Sequence, residues 1–321
     1  RKQKFYLLQI FVLCVFLTVI IGIGNIVYVL QTDSYYQDLF PRYPFLVIYQ
    51  NFSVFLHSAY FAMFLVFSVA TIGYMVLVKK WLRKHRIFWL SLAVFFVLSV
   101  IANSSRSAII SLSLLMLVSV FYFLKRKYLF IGIIVLVAGF ITLFTTNLRF
   151  QRYMELGTEM ISSQGKFLEK GDMLIEKHVK RPIFWMASIE VIKENFWFGV
   201  GNGDVGKELK KKYIQYNLND KLDHAYKAHN QFLSTLVAVG LPGLCFLLLV
   251  FLMPMIKALR EKNFLLLSFI VIVFVHALTE SILGRFDGII FFSFFYGLVI
   301  TLTDLESNEH SMKYDSGNLE R

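Results

Sequence analysis

From Phe5 to Leu30 the chain carries no charged residue, and long apolar runs recur almost to its C-terminal end. Such runs decide the fold class. In a bilayer every backbone N–H and C=O must be bonded within the protein, and a helix of about 20 residues does this across about 30 Å of hydrocarbon. Further runs lie at about Phe45–Val78, Ile87–Ala102, Ser107–Leu124, Tyr128–Thr146, Gln231–Ile256, Phe264–Leu283 and Gly288–Leu302. The Phe45–Val78 run exceeds one perpendicular crossing and is too short for two. It reads as one tilted or kinked helix with an interfacial start.

The expectation is an all-α integral membrane protein, a bundle of about eight transmembrane helices with one long extracytoplasmic helical segment. The 57% apolar composition and mean hydropathy of +0.62 argue against one large soluble core. Residues 1–146 would hold the first five helices, 147–228 a periplasmic segment with an amphipathic helix, and 229–303 the last three. Residues 304–321 read as a solvated, cytoplasmic polar tail without fixed structure. Cys14 and Cys245 both sit inside apolar runs and suggest no disulfide or metal framework. The chain begins at Arg1 rather than Met, so a longer precursor is expected; the first run is too long for a signal-peptide core.

A formal charge of +12 would suggest nucleic acid in a soluble protein. Here the basic residues cluster between apolar runs, so no nucleic-acid partner is expected. Arg1–Lys4, Lys79–Arg86, Lys125–Lys127 and Lys257–Lys262 fall on one side of an eight-crossing topology and hold 14 Lys/Arg residues. The opposite short loops hold Arg42, Arg106 and Arg285. The positive-inside rule makes the first set cytoplasmic, so 147–228, Arg106 and Gly284–Asp287 face the periplasm or exterior. No nucleotide is supplied there, and any reaction must draw its energy from its own substrate.

The outer segment has internal order. Arg149 and Arg152 follow the fifth run closely, where they either extend a phosphate site or mark the membrane edge. At Arg181-Pro182 a helix opens, with Ile183, Phe184, Ala187, Val191 and Ile192 at near-helical spacing. It closes in Asn195-Phe196-Trp197-Phe198-Gly199-Val200-Gly201-Asn202-Gly203, whose glycines either present backbone N–H groups to an anion or form a tight turn. The segment ends at Ala228-His229-Asn230-Gln231, where a histidine meets a membrane-length run. A histidine at such a junction is more often solvated or structural than catalytic.

Ser105-Arg106, the Arg181–Gly203 stretch, and His229-Asn230-Gln231-Phe232-Leu233 leading to Gly240-Leu241-Pro242-Gly243-Leu244 form an ordered set. This set resembles the O-antigen ligase family, membrane glycosyltransferases that include Wzy-type polysaccharide polymerases, over about Ile101 to Val250. Members of that family usually have more crossings, so the chain looks N-terminally incomplete. The resemblance implies transfer of a glycan from an undecaprenyl-pyrophosphate donor to an acceptor hydroxyl, on lipid A–core or on a growing glycan. It implies no metal and no cofactor, and a site on the periplasmic face of the bacterial cytoplasmic membrane, among membrane lipids. His229 would be the base, and Arg106 and Arg181 would bind pyrophosphate. Without the family, Arg106 reads as a headgroup anchor and Arg181 as a solvated helix start.

Other polar groups have open readings. Asn230 and Gly201 flank the motifs as supporting residues. His276 and Glu280 are four apart in one run; Glu280 either orients Arg285, lines the acceptor entrance or belongs to a structural ion pair. Asp220, Asp223 and His224 could hold a divalent cation, although an exposed acidic turn fits better. His57 reads as packed and hydrogen-bonded within the second run. The competing functional class is a secondary transporter, which would place ionisable groups at mid-membrane beside paired broken helices.

Overall fold

The computed structural model describes residues 2–42, 44–80, 83–103, 105–123, 180–215 and 227–319, with 128, 132 and 134 besides. All regular structure among them is helical, as an all-α membrane protein requires. The helices are α1 (Lys2–Thr32), α2 (Ser34–Leu39), α3 (Pro44–Asn51), α4 (Ser58–Gly73), α5 (Arg86–Ala102), α6 (Arg106–Phe123), α7 (Lys180–Glu194), α8 (Val205–Gln215), α9 (Gln231–Arg260), α10 (Phe264–Thr279) and α11 (Phe286–Leu319). Five are long and apolar enough to cross a membrane, counting the π-helical continuation of α4 to Val78; α5 and α10 are shorter apolar helices. Apart from 128, 132 and 134, the expected run Tyr128–Thr146 lies outside the described residues, as do Arg149, Arg152, Asp220, Asp223 and His224.

Three expectations are corrected. The run Phe45–Val78 is not one helix. It breaks between Asn51 and Ser58, where His57 is the N-cap of α4 and its Nδ1 accepts from Ala59 N–H at 3.4 Å. His57 therefore ends a loop and does not sit within a span. The tail after Asp304 is not irregular, because α11 continues helically to Leu319. Glu280 lies just past the end of α10 rather than inside it.

Two compact units divide the chain. The first comprises residues 1–122, 252–276 and 285–321. Its centre is α4, apolar on every side and the most buried of the candidate spans. Phe64 stacks on Phe291 at 4.6 Å, while Phe67 meets Phe269 at 5.3 Å and Phe295 at 5.0 Å. Phe11 closes the group against Phe295 at 4.5 Å. Offset and edge contacts at these distances contribute beyond burial alone. Polar groups gather at the start of α4. Asn103, fully buried in the α5–α6 break, donates from Nδ2 to Ser58 O at 2.9 Å. The Arg285 guanidinium lies 5.6 Å from the centre of the Tyr60 ring. The break that precedes Arg106 and the loop that carries Arg285 thus meet the same end of α4.

The second unit comprises residues 123–251 and 277–284. Phe184, Ala187, Val191 and Ile192 of α7 recur at i, i+3, i+7 and i+8, and they pack on Leu209 and Tyr213 of α8 and on Val237 of α9. Lys212 Nζ joins α8 to Glu194 Oε1 at 2.5 Å. That hydrogen bond to the Glu194 carboxylate raises the Lys212 ammonium above its ordinary value, against a smaller opposing effect of burial.

Candidate active site

His229 precedes α9, and its backbone is left-handed at φ +46°. Histidine is one of the side chains that tolerate this region. The turn lets Asn230 cap the helix: its Oδ1 accepts from Phe232 N–H at 2.9 Å and from Leu233 N–H at 3.1 Å. The imidazole is then aimed back at the 280–284 segment. His229 Nδ1 lies 3.1 Å from Oε2 of Glu280, and Phe184 stacks on the other side of the site with ring centres 5.4 Å apart and planes 21° apart.

The two segments are held together by a ladder of contacts around this pair. Ser234 Oγ meets Ser281 Oγ at 2.6 Å, Leu283 N–H donates to Gln231 Oε1 at 2.8 Å, and Lys227 Nζ donates to Gly284 O at 3.4 Å. Gln231 is itself braced, donating from Nε2 to Thr235 Oγ1 at 3.1 Å. The Glu280 side chain is 6% exposed and that of His229 is 32% exposed. One partner is thus buried and fixed, while the other reaches solvent.

An ionised carboxylate only accepts hydrogen bonds, so this pairing makes Nδ1–H the donor and leaves the Nε2 lone pair available. Among the described residues Nε2 has no hydrogen-bond partner. A neutral imidazole held this way can take a proton at Nε2, and the buried carboxylate can stabilise the imidazolium that results.

The glycine turn behaves differently from an anion cradle. Val200 N–H donates to Val237 O at 2.8 Å, Gly201 N–H to Ala238 O at 2.9 Å, and Gly199 N–H to Asn195 O at 2.9 Å. These groups are occupied by backbone, so Gly201 supports the site as a structural residue and offers no N–H to an anion. The partner side is a kink in α9. Gly240 has φ +71° and ψ −159°, a conformation close to glycine-only. Pro242 lacks the N–H that would serve the Ala238 carbonyl in a straight helix, and Leu241 N–H turns to Phe196 O at 3.0 Å. The approach admits no side chain: a Cβ on Gly199 would lie 2.6 Å from Ala238 C, and one on Gly240 2.4 Å from Trp197 O.

Arg106 is the first residue of α6, half-buried, beside Ser105 Oγ and Ser107 Oγ, which lie 3.1 Å apart. Arg181 is in the first turn of α7. His276 is buried in α10, its Nδ1 2.8 Å from Ile272 O. The sequence reading singled out His229 and Glu280 separately and missed their pairing, together with Gln231, Ser234 and Ser281. The available signal was the polar group Gln231, Ser234, Thr235 at helical spacing in an otherwise apolar run.

A family profile described as O-antigen ligase matches residues 90–248. The chain belongs to the O-antigen ligase family. The matched region runs from α5 through α6, α7 and α8 into α9, and so includes Arg106, Arg181 and His229. No curated protein matches the chain. Membership makes it a membrane enzyme of the O-antigen ligase or polymerase type, acting on a lipid-linked glycan donor and a glycan acceptor, and this sets aside the secondary transporter.

Proposed function

We propose that the protein transfers a glycan from undecaprenyl pyrophosphate to an acceptor hydroxyl of lipid A–core, at the periplasmic face of the bacterial cytoplasmic membrane. The observation that carries this reading is the His229–Glu280 pair. The Nε2 atom of His229 removes the acceptor proton as the acceptor oxygen bonds to the anomeric carbon. The bond from that carbon to the pyrophosphate oxygen breaks, and undecaprenyl pyrophosphate leaves with the electron pair. Glu280 holds the imidazole in the tautomer that can do this. Arg106 and Arg181 meet the developing pyrophosphate charge with planar, permanently charged forks, which takes the place of a metal. A polymerase of repeat units would share the donor and differ in the acceptor alone. The periplasmic assignment rests on the 14 basic residues gathered on the opposite side.

The test is His229→Ala and His229→Gln in purified protein with lipid-linked donor and acceptor in detergent, with EDTA present. Alanine should cut transfer by about two to four orders of magnitude. Glutamine keeps a hydrogen bond but takes no proton at neutral pH, so it should be nearly as inactive. Near-normal turnover in the alanine variant refutes the assignment. Presenting the two acceptor classes separately distinguishes ligase from polymerase.

A further inference from the structure

The turn between α7 and α8 carries three consecutive exposed aromatic residues. Phe196, Trp197 and Phe198 are 42%, 65% and 83% exposed, with Val239 of α9 beside their backbone at 50%. They are not on a slack loop. Phe196 O accepts from Leu241 N–H, and Val200 and Gly201 N–H donate to Val237 and Ala238 O, so the tip is bonded directly onto the kink of a membrane helix. Side-chain-free backbone approaches at Gly199 and Gly240 leave it no slack.

Helix geometry sets the level of this tip. From Leu241 the helix continues unbroken to Arg260, and 20 residues at about 1.5 Å each span about 30 Å, the thickness of the hydrocarbon core. Lys257 and Arg260 mark the far end at its polar boundary. The near boundary then falls at Gly240, where the aromatic tip is fastened. Further along α9, in the body of the span, Phe246 and Leu249 are exposed as well. The backbone groups freed by the kink are those that the tip satisfies, which is what irregular backbone at membrane depth demands.

We infer that Phe196, Trp197 and Phe198 form a rigid anchor seated in bilayer lipid at the headgroup–acyl boundary, on the membrane face opposite Lys257 and Arg260. Tryptophan and phenylalanine at this level place apolar rings among acyl chains, with the indole N–H within reach of headgroups. The anchor holds α7 and the turn at fixed depth, and it needs neither donor nor acceptor to be present.

Tryptophan fluorescence tests this on the full chain reconstituted in phosphatidylcholine vesicles. Trp81, Trp89 and Trp185 are changed to Phe, leaving Trp197 as the one emitter. Lipids brominated near the headgroup should quench it several-fold more than lipids brominated near the acyl terminus, and more than aqueous iodide. Quenching by iodide with no loss to brominated lipid means a solvent-facing platform, such as one for sugars, and overturns the inference. Protection from all three quenchers, relieved on dilution with lipid, means a contact between copies and overturns it as well. If the triple variant does not fold, Trp197→Phe in the otherwise unaltered chain should lower the shallow-bromine component of the total emission, with Trp81 supplying the remainder; an unchanged component refutes the anchor.

Discussion

Glu280→Gln removes one charge and almost no volume from the proposed centre. In the folded chain Glu280 Oε2 lies 3.1 Å from His229 Nδ1, and its side chain is 6% exposed, so no water layer stands ready to replace it. A hydrogen bond to a charged partner contributes about 1.5–3 kcal/mol net. Its strength rises in the transition state, when the imidazole becomes imidazolium, so most of that energy is expressed in the rate. At about 1.4 kcal/mol per factor of ten, transfer should slow about ten- to a hundredfold. The loss should appear in kcat, with the KM for lipid-linked donor unchanged, because Glu280 is a positioning residue and not a donor contact. Ser281 and Leu283 still hold their partners on α9, so the thermal unfolding midpoint should move little. Glu280→Asp restores the charge but retreats by one methylene, and should recover part of the rate. Wild-type kcat in Glu280→Gln would refute the dyad, and a large fall in the unfolding midpoint with unaltered kcat would make the pair structural.

Further expectations follow from single residues. Arg106→Lys and Arg181→Lys keep the charge and lose the fork, so both should lower transfer from the pyrophosphate donor; wild-type rates in both would return these arginines to headgroup anchoring. Gly240→Ala meets φ +71° and a backbone oxygen at 2.4 Å, which costs at least about 1–3 kcal/mol; it should lower the yield and the unfolding midpoint of the protein, and an unaffected midpoint would deny the interlock. A cysteine at Lys211 should react with an impermeant reagent in intact spheroplasts while one at Lys84 is protected; the opposite pattern inverts the topology.

Fold class was open to reading because bilayer physics admits few solutions. The runs at Phe5–Leu30, Ile87–Ala102 and Ser107–Leu124 needed only length and absence of charge to match α1, α5 and α6. The break before α4 was hidden because Asn51–His57 contains no proline or glycine; its polar residues, Asn51, Ser53 and His57, are bonded locally and do not interrupt hydropathy strongly. His229 was visible by its place at a junction, and Glu280 by its charge in an apolar run. Their pairing was not visible. It joins residues 51 apart in sequence and depends on a left-handed turn at a histidine, which no composition or periodicity encodes.

The two glycine motifs, Gly199–Gly203 and Gly240–Gly243, are one structure, and their joint purpose follows from Pro242. A straight α9 would leave the Ala238 carbonyl without a helical donor, since Pro242 has no N–H. Gly240 allows the chain to turn there, Gly201 N–H takes the Ala238 carbonyl, and Phe196 O takes the Leu241 N–H. The end of α7 is thereby bonded to α9 by backbone alone. Phe184 belongs to that helix and stacks on His229, so the imidazole is confined on one side by a ring whose position the kink helps to set and at Nδ1 by Glu280. A helix that only crossed the membrane would gain nothing from Gly240 and Pro242. One that begins two residues after the proposed proton acceptor is held to one geometry by them, with the break one turn past Leu236, between His229 and the body of the span.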